Sequence, residues 1–297
     1  MIKVTERVKS DYIGSNPYIG PVPFNVMKFS GGEIQVAADI TNIHTNVIPS
    51  WDDSISLFTI TANIKSSDDV MELLMVTDAL RRMRENSSIS LVMPYIPYAR
   101  QDRVMNKGEA LSIKVFAQLI NSQNYQSVTV WDAHSDVATA LIDRCTNIPF
   151  EELFDLNGFQ DFFALNDFRY LVSPDAGAMK KAFKVASKFG MEVIRADKIR
   201  DTKTGQISGT KVYSEHLGDS NVVIFDDICD GGRTFIELAQ KLKEITTGKI
   251  YLAVTHGIFS KGLQPLKDVG IYQVGCPNSW IEPDNVFLFN RIGAWSV

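Results

Sequence analysis

Residues 222–234, VVIFDDICDGGRT, decide the fold. The apolar run Val222–Phe225 predicts a buried β-strand, and the acidic pair Asp226–Asp227 follows at its end. The glycines Gly231–Gly232 then predict a loop, and a helical pattern from Thr234 to about Glu244 predicts a helix. A strand that leads through a loop into a helix is the repeating unit of α/β proteins with parallel sheets.

The residues of this stretch are suited to a phosphorylated sugar. Glycines allow backbone N–H groups to close around a phosphate at the positive end of a helix. The two carboxylates can accept hydrogen bonds from vicinal ribose hydroxyls. An ordinary acidic turn before a helix is the structural alternative, whereas a Walker B strand lacks its partner motif G-x-x-x-x-G-K-[ST] anywhere in the chain. The predicted sugar-phosphate residues are Asp226, Asp227, Asp230, Gly231, Gly232, Arg233 and Thr234.

The same unit recurs along the chain. Strands are predicted at Ile89–Met93, Ser127–Trp131, Tyr170–Val172 and Ile250–Val254, and a helix at Leu111–Ile120. Polar residues follow these strands, where ligands bind in parallel sheets. We therefore predict an α/β protein of two similar domains, residues 1–147 and 148–297, with the active site between them.

Composition limits the classes of partner. A formal net charge of -5 argues against nucleic-acid binding. No apolar stretch has the roughly 20 residues that a membrane helix needs, and no signal peptide precedes the first predicted strand, so a cytoplasmic protein is expected. Positive charge is concentrated locally, at Arg100–Arg103 and at Lys198–Arg200.

The glycine loop resembles the phosphoribosyl-diphosphate loop of type I phosphoribosyltransferases and of ribose-phosphate pyrophosphokinases. Four more segments resemble pyrophosphokinase motifs in the order of that family: Pro97–Arg103, Asp132–His134, Val172–Gly177 and Thr255–Ser260. The resemblance covers nearly the whole chain. It implies two tandem phosphoribosyltransferase-like domains, each a mainly parallel sheet flanked by helices, that transfer the pyrophosphoryl group of MgATP to ribose 5-phosphate.

The resemblance also implies roles for single residues. Magnesium is assigned to His134 and Asp175. Phe29 and Glu33 match a hairpin that reaches the nucleotide site of a neighbouring subunit, which implies a homo-oligomer. The residues implied to bind ATP are Phe29, Glu33, Arg100, Gln101, Asp102 and Arg103. From the residues alone, an exposed charged turn at Arg100–Arg103 and an ordinary Gly-Gly hairpin turn remain open.

Lys198 and Arg200 match the Lys-x-Arg pair at the start of the family's catalytic loop. The polar stretch after them, including Gly205–Gly209, predicts an exposed mobile loop. A cation carried by a closing loop can stabilise charge that develops during phosphoryl transfer. Two solvated charges on a flexible loop are the alternative.

Two other functions remain. A type I phosphoribosyltransferase explains the acidic pair and the glycine loop, but neither the Arg100–Arg103 segment nor the doubled domain. A catalytically silent regulatory subunit of a pyrophosphokinase is expected to have lost catalytic or metal residues. The four residues that argue against that reading are His134, Asp175, Lys198 and Arg200, which are all present.

Overall fold

The computed structural model describes residues 2–8, 18–39, 56–153, 159–200, 207–281 and 286–288. The chain divides into two compact units between Ile148 and Pro149. Each unit has its own sheet.

The N-terminal unit is built on a six-stranded sheet and a separate hairpin. Its strands are β1 (Ile2–Val8), β2 (Tyr18–Pro21), β3 (Phe24–Lys28), β4 (Ile34–Ala38), β5 (Ser56–Ala62), β6 (Ser88–Val92), β7 (Val128–Trp131) and β8 (Cys145–Ile148). Its helices are α1 (Ser67–Met83), α2 (Ser112–Ser122) and α3 (Asp136–Leu141). The sheet has the order β2-β1-β5-β6-β7-β8, in which β5 to β8 are parallel and β1 is antiparallel to both neighbours. Strands β3 and β4 form the antiparallel hairpin.

The C-terminal unit is built on an eight-stranded sheet. Its helices are α4 (Phe150–Leu153), α5 (Phe159–Leu165), α6 (Met179–Phe189), α7 (Arg233–Leu242) and α8 (Gln264–Asp268). Its strands are β9 (Phe168–Ser173), β10 (Glu192–Arg200), β11 (Ile207–Val212), β12 (Asn221–Cys229), β13 (Ile250–Gly257), β14 (Ile271–Cys276), β15 (Asn278–Ser279) and β16 (Val286–Leu288). The order is β11-β10-β9-β12-β13-β14-β16, with β15 beside β13, and only the β10–β11 pair among these described strands is antiparallel.

Strand β12 lies in the middle of this sheet and is buried on both faces. Val222 and Ile224 pack into one apolar cluster, whereas Val223 and Phe225 pack into another. Successive side chains of a strand point to opposite faces, so a strand covered on both sides must be apolar throughout. This burial explains why the run that precedes the acidic pair shows no polar alternation.

The predicted α/β class with parallel sheets is confirmed. The strand predicted at Ile89–Met93 is β6, and the helix predicted at Leu111–Ile120 is α2. The prediction of a mobile loop at Gly205–Gly209 is wrong for its second half, since Gly209 lies in β11 and pairs with Ile199. Backbone hydrogen bonds to β10 hold this polar segment in the sheet, and residues 201–206 lie outside the described residues.

Candidate active site

The acidic pair lies within strand β12. The sequence predicted that the strand ends at Phe225, but pairing with β13 continues through Asp226 as far as Cys229 opposite Gly257. The neighbouring strand supplies this extension, because β13 also runs three residues past its predicted end. The backbone that carries both carboxylates therefore lies in a paired strand instead of a flexible turn. In addition, Asp226 Oδ1 accepts a hydrogen bond of 2.9 Å from the Asp227 N–H.

Three carboxylates share this edge of the C-terminal sheet. Burial and the adjacent charge of Asp227 raise the pKa of Asp226 well above its usual value, and the charge of Asp175 acts in the same direction. Asp227 is buried, and its Oδ2 lies 3.6 Å from Lys181 Nζ. Lys181 offsets the charge of Asp227, and the carboxyl oxygens of the acidic pair are suited to accept hydrogen bonds from hydroxyl donors.

Sequence reasoning missed Lys181. It lies in the first turn of α6, where the helix dipole disfavours a cation and an acidic residue would be expected. The sequence Met179-Lys180-Lys181 at a helix start was the available signal. The contact with Asp227 explains why a lysine occupies this position.

The glycine loop joins β12 to α7. Gly232 has a φ of 76°, the left-handed region in which glycine is favoured, and no side chain caps the helix that begins at Arg233. A Cβ atom at Gly232 would lie 3.1 Å from Leu266 Cδ2, which leaves little room for a larger residue. The uncapped helix start leaves backbone N–H groups for an anion.

Arg233 does not point its charge at this loop. Its Nε donates a 2.7 Å hydrogen bond to Glu237 Oε1, one turn further along α7, and the side chain is 80% exposed. Thr234 is the second residue of the helix and is half-buried. The side chain of Arg233 is turned along α7 in this structure, and its binding of the sugar phosphate stays a prediction.

Asp175 and Lys198 meet at a cavity of about 630 Å³. Asp175 Oδ1 accepts hydrogen bonds from the N–H groups of Gly177 (3.0 Å) and Ala178 (3.2 Å). Asp175 Oδ2 lies 3.8 Å from Lys198 Nζ, so the two side chains form an ion pair. The cavity is lined by Asp175, Ala176, Gly177, Asp197, Lys198, Ile199, Lys211 and Tyr213.

The lysine is carried by a strand. Lys198 lies in β10 opposite Thr210 of β11, and Arg200 is the last residue of β10. The side chain of Arg200 lies outside the described residues. The sequence placed this pair at the start of a loop, whereas the antiparallel partner strand extends β10 through both residues.

Four of the six predicted nucleotide residues, Arg100 to Arg103, line a second cavity, of about 650 Å³, in the N-terminal unit. The turn that leads from β6 to this cavity includes Tyr98, whose φ of 65° is unusual for a bulky residue. The Tyr98 carbonyl accepts a 2.8 Å hydrogen bond from Gln101 N–H. The lining residues are Arg100, Gln101, Asp102, Arg103, Met105, Glu109, Ala110, Ser112 and His134.

Asp102 accepts hydrogen bonds from two neighbouring side chains. Its Oδ1 accepts a 2.9 Å hydrogen bond from Arg103 Nε, and its Oδ2 accepts a 2.7 Å hydrogen bond from Ser135 Oγ. These bonds lower the pKa of Asp102 from its usual value, with the Arg103 bond as the larger cause. Sequence reasoning missed Ser135, which also caps α3 through Val137 N–H.

Phe29 and Glu33 lie on the β3–β4 hairpin, and neither lines the cavity at Arg100. The Phe29 N–H donates to the Glu33 carbonyl at 2.8 Å, and Gly32 has a φ of 91° at the turn. The predicted hairpin is confirmed. The Phe29 side chain is 52% exposed, so its ring is accessible on this surface.

The residues predicted for magnesium differ in chemistry. Mg²⁺ takes oxygen ligands, keeps several waters and bridges phosphates, and the carboxylate of Asp175 fits that demand better than the imidazole of His134. His134 belongs to the N-terminal unit and Asp175 to the C-terminal unit. In the described residues, no three His, Cys, Asp or Glu side chains gather as a metal-binding group.

No described helix combines the length and apolar character needed to cross a membrane.

Comparisons with known proteins agree with this geometry. Residues 10–123 match the family model described as the N-terminal domain of ribose phosphate pyrophosphokinase. A ribose-phosphate pyrophosphokinase of Campylobacter jejuni is 31% identical, covering 79% of this chain and 72% of the relative. One of Pyrococcus furiosus is 30% identical, covering 78% and 83%. The crystal structure of a phosphoribosylpyrophosphate synthetase from Mycobacterium smegmatis shares the fold, with a TM-score of 0.68 and 24% identity over 87% of this chain and 81% of that one.

The fold defines an α/β protein with two phosphoribosyltransferase-like units, and a glycine loop joins β12 to α7 in the second. The similarity to the curated relatives is more specific. The chain belongs to the ribose-phosphate pyrophosphokinase family, which comprises ATP-dependent diphosphotransferases.

Proposed function

We propose that this chain transfers the pyrophosphoryl group of MgATP to the 1-hydroxyl of ribose 5-phosphate. The products are 5-phosphoribosyl 1-diphosphate and AMP. The observation that supports the proposal is the cavity lined by Arg100 and Arg103, in a chain that also has a glycine loop before an uncapped helix. A phosphoribosyltransferase needs the loop but has no use for a second, cationic site.

The N-terminal cavity supplies the nucleotide site. Arg100 and Arg103 would bind phosphate oxygens, because a guanidinium can donate two parallel hydrogen bonds to such a group. Gln101 would contact the adenine edge through its amide. Asp102 accepts from Arg103 and Ser135, so its role is to orient the arginine and not to touch the anionic phosphates.

The end of β12 supplies the sugar site. Asp226 and Asp227 would accept hydrogen bonds from the ribose 2- and 3-hydroxyls. The 5-phosphate would lie on the backbone of the loop, which includes Asp230, Gly231 and Gly232, and on Thr234 at the start of α7.

In the reaction, the 1-hydroxyl oxygen of ribose bonds to the β-phosphorus, and the bond between that phosphorus and the oxygen bridging to the α-phosphorus breaks. The hydroxyl proton is lost, and AMP leaves with the bridging oxygen. Lys198 would stabilise the charge on that oxygen, with Arg200 as a second cation. Asp175 and His134 are the residues that would hold Mg²⁺, which would neutralise phosphate charge. No covalent enzyme intermediate is required.

The assembly proposed is a homo-oligomer in the cytoplasm. Support comes from the β3–β4 hairpin, which exposes Val26 (46%), Met27 (51%) and Phe29 (52%) on one element. Such apolar exposure is typical of a surface that meets another chain. Light scattering at assay concentration tests this point, and a fully active monomer would contradict it.

A direct assay tests the activity. The purified protein is incubated with ribose 5-phosphate and MgATP, and then with each component omitted in turn. AMP and phosphoribosyl diphosphate should appear in equal amounts only in the complete mixture. Replacing MgATP by a nucleobase and phosphoribosyl diphosphate tests for a phosphoribosyltransferase, and pyrophosphate release in that mixture alone would overturn the proposal.

A further inference from the structure

The turn that follows β13 is attached to the phosphate loop. The N–H groups of Ile258 and Phe259 both donate to the carbonyl of Cys229, at 2.9 and 3.1 Å. Cys229 is the last residue of β12, immediately before the loop. Residues 258–262 therefore keep a defined position beside the loop that would hold the 5-phosphate.

The turn itself has little conformational freedom. Phe259 is buried and has a φ of 47°, and its carbonyl accepts a 2.8 Å hydrogen bond from Gly262 N–H. A Cβ atom at Gly257 would lie 1.9 Å from Phe259 Cε2, so only glycine leaves space for that ring. A turn packed in this way fixes the direction of the side chain at its centre, Lys261.

The side chain of Lys261 runs beside the phosphate loop. A Cβ atom built on Gly231 would lie 3.7 Å from both Lys261 Cδ and Lys261 Cε, which is ordinary van der Waals contact. The ammonium nitrogen is bonded to Cε, so the positive charge is one bond away from an atom that lies close to Gly231. Among the residues that the structure describes, no acidic side chain forms an ion pair with Lys261.

The loop needs a cation from outside its own sequence. Asp230 adds a negative charge to it, and Arg233 is paired with Glu237 along α7. A sugar phosphate near neutral pH carries close to two negative charges, and charge-assisted hydrogen bonds to such an anion are about twice as strong as neutral ones. Lys261 is in a position to supply one.

We propose that Lys261 is a binding residue for ribose 5-phosphate and that its ammonium contacts the 5-phosphate held by the loop at Gly231. This inference rests on the proposed function. It adds a residue of the turn after β13 to those predicted to bind the sugar phosphate.

The test is steady-state kinetics on Lys261→Ala, Lys261→Arg and a matched control. Lys267→Ala is the control, because Lys267 is an exposed lysine at the end of α8, six residues along the chain, and its removal changes the net charge equally. The Michaelis constant for ribose 5-phosphate is measured at saturating MgATP, and that for MgATP at saturating ribose 5-phosphate.

Lys261→Ala should raise the Michaelis constant for ribose 5-phosphate about tenfold, the size of one charge-assisted hydrogen bond. Its turnover number and its Michaelis constant for MgATP should stay within about twofold of the wild type, as should all constants of Lys267→Ala. Lys261→Arg should recover most of the affinity, because the charge is retained.

Three results would overturn the inference. An unchanged Michaelis constant for ribose 5-phosphate in Lys261→Ala, with an active wild type, overturns it while the proposed function stands. Equal losses for both substrates, or no recovery in Lys261→Arg, would show that Lys261 supports the fold instead. A wild type that forms no AMP would overturn the proposed function and this inference together.

Discussion

The cavity in the N-terminal unit and the site in the C-terminal unit differ in how their charges are paired. The first is lined by Arg100 and Arg103 and by the carboxylates of Asp102 and Glu109. Asp102 accepts hydrogen bonds from Arg103 and Ser135, and Glu109 accepts hydrogen bonds from Asn106 and from the Met105 N–H. The second gathers three carboxylates, of which Asp175 pairs with Lys198 and Asp227 with Lys181. The carboxylates of the first site are engaged in local hydrogen bonds, so we propose that its arginines bind a polyphosphate, whereas in the second site Asp226 lies buried beside Asp227.

This difference suggests a division of roles. A cationic surface binds the triphosphate in ground state and transition state alike, which lowers the Michaelis constant without accelerating the reaction. A cation that lies among carboxylates can instead stabilise the negative charge that develops only in the transition state of the transfer. Substitutions in the two units should therefore separate binding from turnover.

The largest effect is expected at Lys198. Lys198→Ala should lower the turnover number by a hundredfold or more, roughly 3 kcal/mol of lost transition-state stabilisation, with a much smaller change in ATP binding. Steady-state rates and calorimetry of ATP binding measure the two effects separately. Arg200→Ala should behave similarly but more mildly, because waters can partly replace a guanidinium.

Lys241→Ala is the matched control for Lys198, since it removes an exposed lysine that pairs with Glu244 on the surface. Its rates should equal those of the wild type. If Lys198→Ala loses binding and turnover in equal proportion, the residue is a substrate anchor, and the contrast between the two units disappears.

The next effect concerns the acidic pair. Converting both Asp226 and Asp227 to Asn should reduce kcat/KM for ribose 5-phosphate by about a hundredfold or more, because hydrogen bonds to charged groups contribute about 1.5–3 kcal/mol each. ATP binding and the circular dichroism spectrum should be unchanged. Asp219→Asn, at an exposed position before β12, is the control. Near-wild-type use of the sugar would place its site elsewhere.

A smaller effect is expected in the N-terminal cavity. Arg100→Ala should raise the Michaelis constant for MgATP about tenfold, with little change in turnover number or in the constant for ribose 5-phosphate. Arg82→Ala, which removes an exposed arginine paired with Asp78 on α1, serves as the control. A drop in turnover as large as that of Lys198→Ala would argue against separate roles.

The smallest effect is on stability. Because burial and Asp227 raise the pKa of Asp226, the folded state binds this proton more tightly than the unfolded state, and stability falls as pH rises from the unfolded pKa to the folded one. Asp226→Asn removes the free-energy cost that the ionised carboxylate imposes on the folded state. It should raise the melting temperature at pH 8 by about 2–4 °C, the shift that about 1 kcal/mol produces in a chain of this size.

This gain should shrink as the pH is lowered toward the range in which the wild-type carboxyl is protonated. Thermal melts of Asp226→Asn and of the Asp219→Asn control, recorded between pH 5 and pH 8, measure the trend. A gain that is absent at pH 8, or that grows in acid, contradicts the raised pKa.

Local sequence signals predicted part of the secondary structure. The apolar run at Ile89–Met93 and the helical periodicity at Leu111–Ile120 appear within two residues of their predicted bounds. Both elements are specified by apolar residues at regular spacing along the chain, and a sequence pattern shows this spacing directly. The ends of β10 and β12 were misjudged because a partner strand, distant in sequence, supplies the hydrogen bonds that extend them.

The sequence by itself determined that a strand, a glycine loop and a helix follow one another at residues 222–234, and its ordered motifs pointed to the family. Only the tertiary structure decided which charges act together. Lys181 and Lys261 are far along the chain from Asp227 and Gly231, yet each lies beside one of them, whereas Arg233 lies in the loop segment and turns to Glu237. Charge contacts depend on distance in space, and a linear pattern reports only distance along the chain.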